Sequence, residues 1–176
     1  AATVSSAAVA VDETDSSITT SGTLTSTDID NPDNAFTPDS ITGTNGELTI
    51  NANGHWVFTA NSAFNQLNAG DKVEETFTVT SIDGTPSTIK VIINGTNDSP
   101  TISGTSSGAV IEQGLSTAGN PDATGSLIAT DIDKSDTVTW AINQPQGQWG
   151  PLSIDQRGLA RPWSDRAHAG RQLHAA

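Results

Sequence analysis

Apolar residues in this chain recur at every second position, in short runs set between turns. Val9 and Val11 flank Ala10, and Leu48 and Ile50 flank Thr49. Phe77 and Val79 alternate with Thr76, Thr78 and Thr80, while Ile89, Val91 and Ile93 fall on one face of the next run. A period of two is the signature of strands that bury a single face. Seven strands are predicted over the first hundred residues: around Val9 and Val11, at 22–27, near Phe36, at 47–50, at 55–59, at 73–81, and around Ile89 to Ile93. Asn51-Ala52-Asn53-Gly54 and Asp83-Gly84-Thr85-Pro86 are turn sequences, rich in residues that tolerate or promote chain reversal. Trp56 and Phe58 share a face and are expected in the core. No segment keeps a helical period, and 62–67 is long enough for one turn at most.

The pattern repeats. Ala10-Val11-Asp12-Glu13 returns as Ala109-Val110-Ile111-Glu112, and Ser21-Gly22-Thr23-Leu24 with Asp28-Ile29-Asp30 returns as Thr124-Gly125-Ser126-Leu127 with Asp131-Ile132-Asp133. Gly46-Glu47-Leu48-Thr49-Ile50-Asn51 returns as Gly150-Pro151-Leu152-Ser153-Ile154-Asp155. Collinear matches at a spacing of about one hundred residues predict two copies of one β-sandwich-sized module. The expected organisation is a first repeat over 1–96, a linker at 97–100, an incomplete second repeat over 101–155, and an atypical, poorly ordered Arg-rich tail over 156–176. The second copy departs at Gly158: where the first has His55-Trp56-Val57-Phe58, it has Leu159-Ala160-Arg161-Pro162, and Pro162 would interrupt a central strand. The opening residues carry neither an initiator Met nor a basic leader, so the sequence reads as an internal piece of a longer chain.

Charge changes this picture from fold to chemistry. Seven basic residues against twenty acidic ones give a formal net charge of −13, which speaks against nucleic acid or an anionic membrane as partner and for a cationic one; nothing resembles a membrane span, so membrane insertion is not expected. There is no Cys, so disulfides and thiolate metal sites are excluded. Oxygen is the one plentiful ligand, as a hard cation such as calcium prefers. All four Arg lie after Asp155, which sets the tail apart from the acidic body.

Loops of a seven-stranded sandwich gather alternately at its two ends. Asp28, Asp30, Asp33, Asn53 and Asp83 are expected at the leading end of the first repeat. Glu13, Asp15 and Asp71 are expected at the trailing end, beside Asn94-Gly95-Thr96-Asn97-Asp98-Ser99-Pro100. Asp131, Asp133 and Asp136 take the leading end of the second. Calcium needs about six to eight oxygens, more than any one of these loops holds, whereas a junction could combine a Glu, the linker and an Asp-x-Asp pair. Single Asp-x-Asp pairs are ordinarily solvated turns; recurrence at the repeat period beside an Asn-Asp linker favours metal.

Taken together, Gly22-Thr23-Leu24 with Asp28-Ile29-Asp30, 46–56, 76–84 and 93–100 closely resemble the VCBS repeats, cadherin-like and Ig-like modules of large RTX-type bacterial adhesins. The resemblance spans about residues 7–155. It implies an all-β, seven-stranded Ig-like/cadherin-like antiparallel β-sandwich, followed by a truncated second copy. It also implies calcium at domain junctions, export by type I secretion to the cell surface or medium, and a part in adhesion or biofilm formation. The metal ligands so implied are Glu13, Asp28, Asp30, Asp83, Asn97, Asp98, Glu112, Asp131 and Asp133. One departure is Gln113, which follows Glu112 where an acid is common. The glycine-rich nonapeptides of RTX tails are absent, which marks a stalk rather than a secretion signal.

The remaining candidates point away from catalysis. His55 begins a strand with no acid or nucleophile at a telling spacing. Trp149, between glycines, reads as core or rim before it reads as a sugar platform. No triad order, phosphate loop or zinc pattern is present. An enzyme is therefore not expected. A calcium-stiffened spacer whose partners are neighbouring repeats comes first, and a module that itself binds surface polysaccharide is the alternative.

Overall fold

The computed structural model describes the chain except residues 31–33, 106, 110, 112, 114, 116, 117, 120–122, 134–136, 143–145, 148, 149, 155–158 and 163–176. Every regular element among the described residues is a strand, and no helix there is long and apolar enough to cross a membrane. The chain divides into two units, Ala1–Asp98 with Ile132–Asp136, and Ser99–Asp131 with Thr137–Ala176.

Among its described residues the first unit holds nine strands: β1 (Thr3–Val4), β2 (Ala7–Asp12), β3 (Thr19–Thr23), β4 (Ser26–Thr27), β5 (Asp39–Thr42), β6 (Gly46–Ile50), β7 (His55–Ala60), β8 (Lys72–Thr80) and β9 (Pro86–Asn94). One sheet runs β3-β7-β6-β5, fully antiparallel, and a second runs β2-β9-β8; β1 pairs separately with β4. The core lies where the alternating apolar residues of both sheets meet. Leu48, Ile50, Trp56 and Phe58 come from one, Phe77, Val79, Ile89, Val91 and Ile93 from the other, each at most 4% exposed. Phe58 and Phe77 join the layers, ring centroids 5.8 Å apart and tilted by 53°, a favourable aromatic arrangement. Phe36 is buried too.

Two local devices hold the four-stranded sheet in register. Between β6 and β7, Asn51 Oδ1 accepts the N–H groups of Asn53 (3.0 Å) and His55 (3.1 Å), a side-chain mimic of a backbone turn. Gly54 closes that turn at φ +78°, a left-handed value open chiefly to glycine. On β3, a Cβ at Gly22 would lie 2.6 Å from the Trp56 ring, so the absence of a side chain makes room for the indole.

Three features differ from the sequence reading. Phe36 makes one isolated bridge, to Ser81, and regular pairing resumes at β5. Asp-Ser-Ile-Thr offers one apolar residue and no visible alternation; its pairing with β6 makes it an edge strand. The sandwich is also not wholly antiparallel, because β2 runs parallel to β9, with Asp12 opposite Asn94. That pair brings the residue after β2 beside the residues after β9.

The second unit contains β10 (Thr101–Gly104), β11 (Gly125–Thr130), β12 (Gln146–Gly147), β13 (Gly150–Ile154) and β14 (Leu159–Pro162), in the order β10-β11-β14-β13-β12. Apart from the added β10–β11 ladder, the pairs of its other four strands match those of β3-β7-β6-β5. Gly22 faces Trp56 as Gly125 faces Ala160; Leu48 faces Phe58 as Leu152 faces Pro162; Thr42 faces Glu47 as Gln146 faces Pro151. Leu159–Pro162 thus takes the place of β7, where the sequence predicts that the pattern is lost. Pro162 is accommodated because the β11–β14 pairing covers only Leu159 and Ala160, so at Pro162 no hydrogen bond toward that side is required. The rest of the predicted tail, 163–176, lies outside the described residues.

Candidate metal centre

Glu13 follows β2, and the parallel β2–β9 register sets it against the segment that follows β9. Its N–H donates to Asn94 O at 2.9 Å. Beyond Asn94 the chain is tied down step by step: the Gly95 N–H donates to Asp71 O at 2.9 Å, and the Thr96 N–H and hydroxyl both donate to Glu13 Oε1, at 2.9 and 3.3 Å. Two residues on, the Asp98 N–H donates to Asp133 Oδ2 at 2.8 Å. In extended chain, positions two apart present their groups to the same side. Thr96 and Asp98 accordingly fix one carboxylate each.

Glu13, Asp98 and Asp133 come together there, each offering a carboxylate oxygen within 4.8 Å of the others. All three belong to the first unit, Asp133 through the stretch Ile132–Asp136 that follows β11 in the chain. Glu13 and Asp133 are each 5% exposed. Glu13 Oε2 is buried and has no hydrogen-bond partner.

Such an arrangement is costly for a protein alone. A buried carboxylate oxygen without a partner loses its hydration for nothing, and three like charges within a few ångströms repel. A cation reverses both terms. The donors are all carboxylate oxygens, and calcium or another hard ion suits them better than zinc or copper. The cluster could hold a metal, with Glu13 Oε2 as its best-defined ligand atom; backbone carbonyls and water would have to complete the shell.

The other predicted ligands lie elsewhere. Asp28 and Asp83 meet near the start of the chain: the Ala1 α-amino group is 3.7 Å from Asp28 Oδ2 and 4.0 Å from Asp83 Oδ2. Asp28 Oδ1 accepts the Asp30 N–H at 3.0 Å, and Asp30 is exposed. Asp83 is satisfied by the chain itself. The Ser81 hydroxyl, the Ala2 N–H at 2.6 Å and the N–H and hydroxyl of Thr85 at 3.2 and 3.0 Å all donate to it. Those donors, Ser81 foremost, hold its carboxyl well below the usual carboxylate range, against a smaller opposing effect of desolvation. Asn97 is exposed, its Nδ2 donating to Asp98 O at 2.7 Å. Asp131 falls in the second unit. Glu112 lies outside the described residues, as do Asp33, Asp136 and Trp149. His55 is an exposed strand residue, and Trp56 is core.

Thr96 is the residue that sequence reasoning passed over. Asn94-Gly95-Thr96 reads as a strand-ending turn, and nothing in the triplet announces a hydroxyl aimed at a carboxylate eighty-three residues earlier. Its position two before Asp98 is the one available signal.

Among known families, the model of the bacterial cadherin-like domain matches residues 1–95. Those residues cover more than half of the 176 and carry β1–β9 with Glu13. Compared with curated proteins, the chain has no match.

Proposed function

Because the chain belongs to the bacterial cadherin-like domain family, we propose that it is a calcium-binding structural repeat of a bacterial surface or secreted adhesin. In this reading it is a VCBS-type stalk module of an RTX-type protein exported by type I secretion, and it acts as a stiff spacer in adhesion or biofilm formation. Calcium at Glu13, Asp98 and Asp133 fastens the linker and the loop at Asp133 to the end of the first unit. One observation carries this reading: Glu13 Oε2 is buried, unpartnered and beside two more carboxylates. The spacer role is put before direct polysaccharide binding because the observation that carries the reading, a buried carboxylate cluster, bears on a metal rather than a sugar.

Thermal melts test the proposal. A ligand that binds only the folded form adds RT ln(1 + [L]/Kd), about 2.7 kcal/mol at a hundredfold excess over Kd. For a unit of this size that is a rise of about 10 °C between chelator and saturating calcium. Glu13→Gln should abolish the rise. Equal melts of the unsubstituted protein in both conditions would refute the reading.

A further inference from the structure

The inward face of β8 breaks its own apolar pattern once. Val73, Phe77 and Val79 keep the alternation, and between them Glu75 places a half-buried carboxylate on the same face. Such a carboxylate loses hydration unless donors replace it. The donors come from the other sheet, in the turn between β5 and β6: the Thr44 N–H donates to Glu75 Oε1 at 2.5 Å and the Asn45 N–H to Oε2 at 2.9 Å. The carbonyls of the same two residues are taken by Asn61, just after β7. Its Nδ2 donates to Thr44 O at 2.8 Å and its N–H to Asn45 O at 3.0 Å. Every backbone polar group of Thr44 and Asn45 is thus engaged. Gly43 permits the approach, because a Cβ there would collide with Glu75 Oε1.

We propose that Glu75 is a clasp across one side of the sandwich: its charge holds the β5–β6 turn to β8 and so keeps the edge of the four-stranded sheet closed. β5 needs such a fastening. It ends its sheet, and Ile41 is its one apolar residue. The chain just before it is already tied to the end of β8, where the Thr37 N–H donates to Thr80 O at 2.9 Å. Glu75 ties the opposite end of β5 to the same strand. Without the clasp, β5 keeps its ladder to β6 and the tie at Thr37, while the N–H groups of Thr44 and Asn45 lose their acceptors. An edge so loosened is where a sandwich opens first and where a foreign strand can pair. Apolar packing is no substitute, since a leucine at position 75 would fill the space and leave both N–H groups unpaired.

The test is amide exchange of the full chain, read residue by residue with a calcium chelator present, so that the outcome is independent of any metal. The unsubstituted protein is compared with Glu75→Leu, Glu75→Gln and Gly43→Ala. In Glu75→Leu, exchange at Thr44 and Asn45 should rise about tenfold or more, with the amides of β5 following. Glu75→Gln keeps the shape and one uncharged acceptor, and should give a smaller rise at the same positions. Gly43→Ala should loosen the turn with the carboxylate still present. Exchange at Thr37 and across β7 should not change in any of them. Unaltered exchange at Thr44 and Asn45 in Glu75→Leu would overturn the proposal, because the carboxylate would then hold nothing. A rise at β7 equal to that at the turn would overturn it too, by making Glu75 a general stabiliser rather than a clasp on one edge.

Discussion

Two sheets in this molecule share the order and register of four strands, and the buried core among the described residues is that of the first. In the first unit Gly22 lies opposite Trp56 and Leu48 opposite Phe58; in the second the same registers hold Gly125 opposite Ala160 and Leu152 opposite Pro162. Register therefore survives the loss of the two largest side chains of the central strand. Backbone ladders and the spacing of turns set it, and a sheet needs no large residue to know its pairing. Burial is different. It needs a second layer, which β2-β9-β8 supplies to the first sheet. A matched pair of aspartates shows the same split: Asp30 is exposed and hydrogen-bonded within its own loop, while its counterpart Asp133 is 5% exposed and faces Glu13 and Asp98.

The largest effect should come from matched core substitutions. Leu24→Ala removes a residue that is 2% exposed and should cost about 2–5 kcal/mol. Leu127→Ala, at the matching half-buried position of the second unit, should cost about 1 kcal/mol or less. Urea unfolding followed through amide signals of each sheet distinguishes the two. Equal costs would mean the second sheet is as well covered as the first.

A smaller effect separates the two acidic ends. Asp83 has a depressed folded pKa, against an ordinary value of 3.8. Its contribution is therefore complete above that value and fades as pH falls through the lower folded one. Asp83→Asn should lower the melting temperature slightly at pH 7, with the deficit closing as the pH drops well below 3.8. Calcium should leave that deficit unchanged, because Ser81 and Thr85 already donate to this carboxylate. A deficit that persists in strong acid would show that the charge is irrelevant.

Much of this arrangement was legible in the residues, and the gaps have physical causes. Alternation at Leu48/Ile50, Phe77/Val79 and Ile89/Val91/Ile93 identified the buried faces, because each strand buries one side only. β5 was not visible, since an edge strand with one apolar residue is decided by its partner. β14 was hidden by Pro162, whose breaking effect depends on whether a neighbour needs its N–H. At the candidate metal centre, Glu13, Asp98 and Asp133 were among nine candidates. Charge and spacing could not rank them, because what sets the three apart is a parallel register that places Glu13 beside Thr96. Asp28, Asp30 and Asp83 have the same composition and a different set of donors.

Calorimetric titration of calcium into the chain tests the central claim most directly. The unsubstituted protein should show a saturable site; Glu13→Gln should weaken it by about a hundredfold or more, as loss of a buried charged ligand implies. Asp83→Asn should leave it in place. Binding that is unchanged in Glu13→Gln would contradict the account, because a cation held elsewhere would leave the buried Glu13 Oε2 unexplained.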